Sequence, residues 1–385
     1  MRHKISSCAC ALACVSLWAT AAGAAGASGR TASVKLLRAQ ITSSTESSVA
    51  AVSFRQDEQK DKGKGKEKDK SKNEGAGKAQ TGATVSADEA KALKKIQEAK
   101  DASSKLQAGG EYVKKYPKST KRAEVANYLA GQIHDVKDAS QKVTLGETYL
   151  MVFNDPGEVA IFNPVLIDAY INAKRLDDAF RLGGTHVEKN PEQVTTLTRL
   201  ALAGSDEASR NNLKYAPQSL QYGTKAIELI EADKKPENLD DAAWQQYRTH
   251  WLPELYRGLG FLAMRTNNPA AARTHLEKAV ALKSTDPIVY AVLGQIAEDE
   301  YTALAKQYQT THAAATFTQA QGQLDKVIEF YAQAMGLAGD RPEYKQLSDN
   351  VRPGLENYYK YRHNNSMVGL DVLIAKYKVA TPATP

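Results

Sequence analysis

The sequence predicts an all-α fold built from repeated helix pairs, and three observations support this fold class. From Ser86 onward apolar residues such as Leu93, Ile96 and Leu106 follow helical spacing, and strand patterns are nearly absent. Prolines interrupt these helical segments at roughly even intervals. One set of residues recurs after 34 positions, a step typical of repeats that consist of two helices.

Residues 1–27 have the layout of a secretory signal peptide. Residues 1–4 are basic, no further charge occurs before Arg30, and residues 25–27 are small enough for a signal peptidase. All 3 cysteines lie in the first 14 residues, so cleavage would leave a mature chain without cysteine, which fits export. We therefore expect an exported protein in the periplasm or associated with the bacterial envelope.

Two alternatives for the N-terminus remain open. Residues 11–14 could form a lipobox with Cys14 as an acylated anchor, although the apolar run continues beyond this cysteine to Trp18. The uncharged run is also long enough to be an uncleaved membrane anchor, although Ser, Thr, Gly and Ala make it poorly hydrophobic. We expect cleavage rather than either form of anchoring.

Residues 28–85 are predicted to be a disordered linker, because they are rich in Lys, Gly and Ser and contain few large apolar side chains. A polybasic contact to anionic lipid or cell-wall polymer is the alternative. Residues 1–78 hold 14 of the 51 basic and 7 of the 44 acidic residues, which leaves 37 of each sign. The predicted folded domain, residues 86–385, therefore lacks the net positive charge that favours nucleic-acid binding.

The helix boundaries are predicted from caps and prolines. Ser86, followed by Asp88 and Glu89, is expected to cap the first helix. Proline ends one helix and is accepted in the first turn of the next. Six prolines are expected to separate helices: Pro117, Pro156, Pro191, Pro236, Pro287 and Pro342. The last helices are expected around residues 355–361 and 368–377.

The repeat is clearest in the second half of the chain. Four residues reappear in the same order 34 positions later: Tyr256, Leu259, Gly260 and Ala263 correspond to Tyr290, Leu293, Gly294 and Ala297. An earlier segment has the same step: Leu166, Ile167 and Tyr170 correspond to Leu200, Ala201 and Gly204. Small residues at such positions let two helices approach closely, and large ones fill the gap to the next pair.

These residues resemble the pattern of the tetratricopeptide repeat family. The unit that matches best begins at Pro253 and continues to about Asp286, with Ala272, Leu276 and Ala279 on its second helix. The resemblance covers most of residues 100–362. It implies a right-handed α-solenoid of about six antiparallel helix pairs. One departure is an insertion of about 21 residues between Glu300 and Leu324, which we expect to form extended helices because it contains no proline.

The sequence contains no recognisable catalytic, cofactor-binding or metal-binding motif. The histidines of the predicted domain are scattered singly, whereas a metal site needs clustered ligands. The mature chain would lack a nucleophilic cysteine, and no nucleophile elbow is present. Paired carboxylates such as Asp177 and Asp178 lie at predicted turns, where capping explains them. We therefore expect a protein that is not an enzyme.

Tetratricopeptide repeat proteins bind partners in a concave groove lined by the first helix of each pair. The resemblance places nine candidate partner-binding residues in such a groove: Arg257, Phe261, Met264, Arg265, Gln295, Glu298, Asp299, Asp168 and Asn172. The first four are of special interest, because Arg and aromatic residues contribute much of the binding energy at interfaces. The alternative is that Phe261 packs against a neighbouring helix and the arginines only solvate a surface.

The sequence thus favours a scaffold of the periplasm or envelope that binds a protein or peptide without catalysis. An envelope-assembly factor anchored through its N-terminus is one alternative, and it requires acylation at Cys14. A glycan-handling enzyme or binding module is another, but no motif supports it. No nucleic acid is expected as a partner, because the predicted domain is neutral.

Overall fold

The structure, a computed structural model, describes residues 85–378. The predicted signal peptide and residues 28–84 of the predicted linker lie outside this range. Within it the fold is all-α, as predicted, with no strand and fourteen α-helices packed in neighbouring pairs. The helices are α1 (Ala87–Glu98), α2 (Ala102–Lys115), α3 (Arg122–His134), α4 (Ala139–Val152), α5 (Pro156–Asn172), α6 (Leu176–Lys189), α7 (Val194–Ser209), α8 (Ala216–Glu231), α9 (Asp241–Arg265), α10 (Pro269–Ala281), α11 (Pro287–Thr311), α12 (Ala314–Ala338), α13 (Lys345–Arg362) and α14 (Leu370–Ala375). None of these helices combines the length and apolar character required to cross a membrane.

Polar caps and prolines begin several helices where they were predicted. The Oγ atom of Ser86 accepts the backbone N–H of Glu89 at 3.2 Å, which confirms the first cap. Proline is the first residue of α5 and of α11, at Pro156 and Pro287. In α11 the preceding Asp286 also accepts the N–H of Ile288 at 2.9 Å.

The repeat unit that was expected to begin at Pro253 starts inside a longer helix. The helix α9 begins at Asp241, where the side chain of Asp240 accepts the N–H of Ala243 at 2.7 Å. Pro253 therefore lies inside the helix, where it removes one backbone hydrogen bond. The additional turns before Pro253 are held by the buried rings of Trp244 and Tyr247, and burial of two large aromatic side chains offsets that loss.

Six helices of the described residues end in the same left-handed turn without a glycine. The residues with positive φ in these turns are Lys174, Asn211, Asp233, Asn267, Lys283 and Asn364. In each turn the next N–H donates back to a carbonyl of the last helical turn, as from Ser284 to Ala279 at 3.1 Å. This is the 6→1 bond of the Schellman motif, which satisfies helix carbonyls that otherwise lack partners. The short connections between helices depend on these turns.

The described residues fall into two compact units, 85–186 and 187–378. In the first unit α1 packs on α2, and α2 to α5 pack on one another. Arg122 on α3 reaches Glu158 on α5 with two hydrogen bonds of 2.7 and 3.0 Å, which ties nonadjacent helices together. In the second unit α7, α8 and α9 pack together, each helix from α9 to α12 packs on the next, and α14 packs on α12.

Glycines allow the close approach of helices within both units. A Cβ atom placed on Gly260 of α9 would lie 2.5 Å from Leu276 Cδ2 on α10, and one on Gly294 of α11 would lie 2.4 Å from the Tyr331 ring on α12. Gly146 has the same role between α4 and α5, where Leu166 would lie 2.9 Å away. These contacts confirm that Gly260 lets two helices approach closely, as the repeat pattern predicted.

The insertion between Glu300 and Leu324 lengthens two helices. The helices α11 and α12 each have 25 residues, and only His312 and Ala313 separate them. This confirms the prediction of extended helices and explains why the 34-residue step fails after Leu276. The two helices pack along their length and carry a large part of the core of the second unit.

Candidate partner-binding site

Arg257 and Phe261, the two residues expected at the centre of a groove, are buried. Their exposed fractions are 8% and 4%, so the expectation that both face an open surface is wrong. The helix α9 contacts α7, α8 and α10, and these neighbours cover it on more than one side. The guanidinium group of Arg257 lies 5.5 Å from the centre of the Phe261 ring, so the two side chains chiefly contact each other and the core.

Arg257 belongs to a buried ionic cluster. Its Nε and Nη2 atoms donate to Glu254 at 3.0 and 2.7 Å, and its Nη1 atom donates to Asp286 at 3.4 Å. Burial raises the pKa of the Asp286 carboxyl group above its usual value, and the charge of Arg257 opposes this rise. Because Asp286 caps α11, the cluster joins α9 to the start of α11 and has a structural role.

Met264 and Arg265 are the last two residues of α9, and both contact other residues of the same unit. Arg265 donates to the carbonyl oxygens of Ala208 and Ser209 at 3.0 and 2.9 Å and to the side chain of Asn211 at 2.6 Å. These carbonyls end α7, where a cation is favoured by the helix dipole. Met264 is partly buried against the core. The four predicted residues of α9 are therefore held by intramolecular contacts.

Glu298, predicted on α11, accepts hydrogen bonds from tyrosines on two other helices. Tyr331 of α12 donates to Oε2 at 2.6 Å, and Tyr358 of α13 donates to Oε1 at 2.8 Å. Glu298 remains partly accessible, and the neighbouring Asp299 is exposed. Gln295 lies one turn earlier and donates to Asp299 at 3.3 Å. The structure thus brings three predicted residues together on one accessible face of α11.

Two further tyrosines extend this site. Tyr301 of α11 meets Tyr358 edge to face, with ring centres 5.9 Å apart. Tyr361 of α13 is 37% exposed and interacts with Tyr301. We call Glu298, Tyr301, Tyr331, Tyr358 and Tyr361 the Glu298 surface.

Two phenols of the Glu298 surface, those of Tyr331 and Tyr301, have raised pKa values and remain protonated at neutral pH. Burial, and then the charge of Glu298, raises the pKa of Tyr331 well above its usual value. Burial, and then Tyr361, raises the pKa of Tyr301. The hydroxyl group of Tyr331 therefore acts as a donor to the carboxylate.

Sequence reasoning missed these tyrosines. The chain has 18 tyrosines against 7 phenylalanines and 3 tryptophans, and this excess was the available signal, since tyrosine is enriched at interfaces. Composition alone does not show which tyrosines contact one another. The tyrosines of the Glu298 surface lie on three helices and converge only through packing.

Asp168 and Asn172, the remaining predicted residues, lie in the first unit. The Nδ2 atom of Asn172 donates to Oδ2 of Asp168 at 3.0 Å along one face of α5. Burial lowers the pKa of Lys142, and the charge of Asp168 opposes this change. The pair belongs to a polar surface of the first unit, whereas the other seven predicted residues belong to the second.

The first unit also has an open cleft of about 550 Å³ between α1 and α2. Its wall includes Lys91, Lys94 and Lys95, and Lys95 forms an exposed ion pair with Glu111 at 2.6 Å. Such exposed pairs contribute little energy. Residues 85–378 contain no group of three or more His, Cys, Asp or Glu side chains arranged to hold a metal ion. The Glu298 surface therefore remains the best candidate site.

Comparison with known proteins finds no protein-family model and no curated protein that matches this chain.

Proposed function

We propose that the protein is a non-enzymatic scaffold of the bacterial periplasm or envelope that binds a protein or peptide. The proposed architecture is a right-handed α-solenoid similar to tetratricopeptide repeats. The helices pack in neighbouring pairs, and the residues that recur after 34 positions, such as Leu259 and Leu293, are buried. This supports the proposal, because a repeat must bury its apolar faces against its neighbours.

One observation carries the proposal: the Glu298 surface joins a partly accessible carboxylate to tyrosines from three helices. Tyrosine supplies a large contact area and a hydroxyl group at low entropic cost, and aromatic anchors contribute much of the energy at interfaces. Helices rather than loops carry these side chains. The surface is therefore preorganised, which lowers the cost of binding.

Site-specific photocrosslinking tests the proposal. The full-length chain with a C-terminal tag would be expressed in a Gram-negative host with p-benzoylphenylalanine at position 299 in place of Asp299. We expect a discrete adduct with an envelope protein. The control places the same crosslinker at Gln218, an exposed position on α8 of the same unit. Equal adducts at both positions, or none at position 299, would count against partner binding at the Glu298 surface.

The same preparation tests export. The proposal expects a mature N-terminus near Ser28 in the mass spectrum of the purified chain, as cleavage after residues 25–27 would produce. A lipid-modified Cys14 would instead favour the anchored assembly factor. An intact Met1 would contradict cleavage of the predicted signal peptide.

A further inference from the structure

Glu298 is a partly buried carboxylate whose partners are neutral. Its two oxygens accept from Tyr331 and Tyr358, and no Lys, Arg or His of residues 85–378 forms an ion pair with it. A carboxylate has about four acceptor positions, so two phenols leave capacity for further donors. Removing a charge from water without an opposite charge is unfavourable.

Of the four other Tyr–Glu hydrogen bonds among the described residues, two are completed by a cation, whereas those of Tyr112 with Glu89 and of Tyr256 with Glu231 are not. In the first unit Tyr170 donates to Glu147 at 3.0 Å, and Arg175 pairs with Glu147 at 2.9 Å while its guanidinium group lies 4.8 Å from the centre of the Tyr170 ring. Each of these arginine contacts is favourable, one with the carboxylate and one with the aromatic face.

The second example lies near the end of the described chain. Tyr377 donates to Glu329, and Lys376 pairs with Glu329 at 3.6 Å while lying 4.7 Å from the centre of the Tyr377 ring. In both cases the cation contacts the carboxylate and the ring together. The Glu298 surface has the same carboxylate and more tyrosine rings, but no such cation on Glu298.

We propose that the Glu298 surface binds an arginine or lysine side chain of the protein or peptide partner, with the cation against Glu298 and the rings of Tyr358 and Tyr361. This inference rests on the proposed function and specifies the partner as basic at the contact point. Arginine fits better than lysine, because its planar group stacks on tyrosine and donates to a carboxylate at the same time.

The test uses peptides that differ in charge and retain a similar shape. A short fluorescein-labelled Gly/Ser/Ala peptide with arginines would be compared, by fluorescence polarisation, with a twin in which citrulline replaces every arginine. Citrulline retains the planar group but is neutral. We expect the full-length protein to bind the arginine peptide at least about tenfold more tightly than the citrulline peptide, because a desolvated, charge-assisted hydrogen bond contributes that much binding energy.

Matched variants locate the effect. Glu298→Gln should abolish the preference for arginine, while the amide oxygen can still accept a tyrosine hydroxyl. Glu300→Gln removes the same charge two residues away, from a carboxylate already paired with Arg273 at 2.8 Å, and should preserve the preference. Tyr361→Ala should weaken binding of the arginine peptide about threefold to thirtyfold, the range of a cation–π contact.

Several outcomes would overturn the inference. These are equal affinity of the wild-type protein for both peptides, absence of binding to either, or a preference for arginine that survives Glu298→Gln in a variant with unchanged helical content. The photocrosslinking experiment separates this failure from that of the proposed function. An adduct at position 299 that persists in the Glu298→Gln background would preserve the scaffold and refute the basic contact, whereas absence of any adduct would refute partner binding itself.

Discussion

Replacement of Gly294 by alanine tests the close packing of α11 against α12. The new Cβ atom would lie 2.4 Å from Cδ1 and Cε1 of Tyr331, which is closer than real contacts allow. Tyr331 has little freedom to move, because its ring is buried and its hydroxyl donates to Glu298 at 2.6 Å. The substitution therefore forces either the ring or a helix to shift.

The magnitude follows from two opposing effects. Overpacking of a filled core costs about 1–3 kcal/mol. Alanine in place of glycine inside a helix contributes about 1 kcal/mol in the opposite direction. Because the contact of 2.4 Å is with a buried ring, the overpacking cost should be near its upper end of about 2–3 kcal/mol, and we expect Gly294→Ala to lower the free energy of unfolding by about 1–2 kcal/mol. Gly322→Ala is the matched control, because Gly322 is exposed on α12 and a Cβ there meets no atom within 4 Å. It should raise the free energy of unfolding by about 0.5–1 kcal/mol.

Urea unfolding followed by circular dichroism measures this difference. With an unchanged m value, the midpoint should fall for Gly294→Ala and rise for Gly322→Ala. Because Tyr331 belongs to the Glu298 surface, Gly294→Ala should also weaken the binding of an arginine peptide. Equal upward shifts of both midpoints would show that α11 and α12 are not in close contact at Gly294, and would refute the packing argument.

Three further predictions concern stability. Lys283→Gly should raise the free energy of unfolding, measured by urea unfolding, by about 0.5–1 kcal/mol, because Lys283 has a φ of 63° and glycine adopts that angle without strain. Lys278→Gly, on an exposed helical position of α10, should lower the free energy of unfolding by about 1 kcal/mol. Arg257→Met should lower the free energy of unfolding by about 3 kcal/mol in the same assay, since it leaves Asp286 without its cation. Asp286→Asn in that background should recover part of the loss. Additive effects of the two substitutions would contradict a coupling between Arg257 and Asp286. Stability should fall as the pH rises above about 10, because tyrosines of the unfolded chain lose their protons there, whereas the raised pKa of Tyr331 keeps its proton bound in the folded state. Tyr331→Phe should reduce the slope of the free energy of unfolding against pH in this range by about 1.4 kcal/mol per pH unit. An unchanged slope would argue against the raised pKa.

Much of the local structure could be predicted because it depends on short-range interactions. The cap at Ser86 and the prolines at the start of α5 and α11 act within one turn of helix, so the sequence contains the whole interaction. Pro253, where the repeat unit was expected to begin, shows the limit of local signals. Proline at position 253 is a local signal against a helix interior, and the buried contacts of Trp244 and Tyr247 override it.

The repeat pattern identified buried positions correctly, but it did not decide which helix faces stay accessible. Leu259 and Leu293 recur after 34 residues and both are buried. Arg257 and Phe261 lie near Leu259 on the same helix and were expected in a groove, yet packing of α9 against α7, α8 and α10 buries both. A single helix shows its own apolar stripe, whereas the number of neighbours that cover it depends on the whole unit.

Caps, prolines and periodicity act over a few residues, so they were enough to predict the helical class, the helix starts at Ser86, Pro156 and Pro287, and the long α11 and α12. The sequence also indicated Glu298 and Asp299 as candidate site residues. Tertiary packing alone brings Tyr331 and Tyr358 to Glu298 and places Tyr301 against Tyr358. Such a meeting depends on helix packing between residues up to 60 positions apart, and no local pattern encodes that geometry.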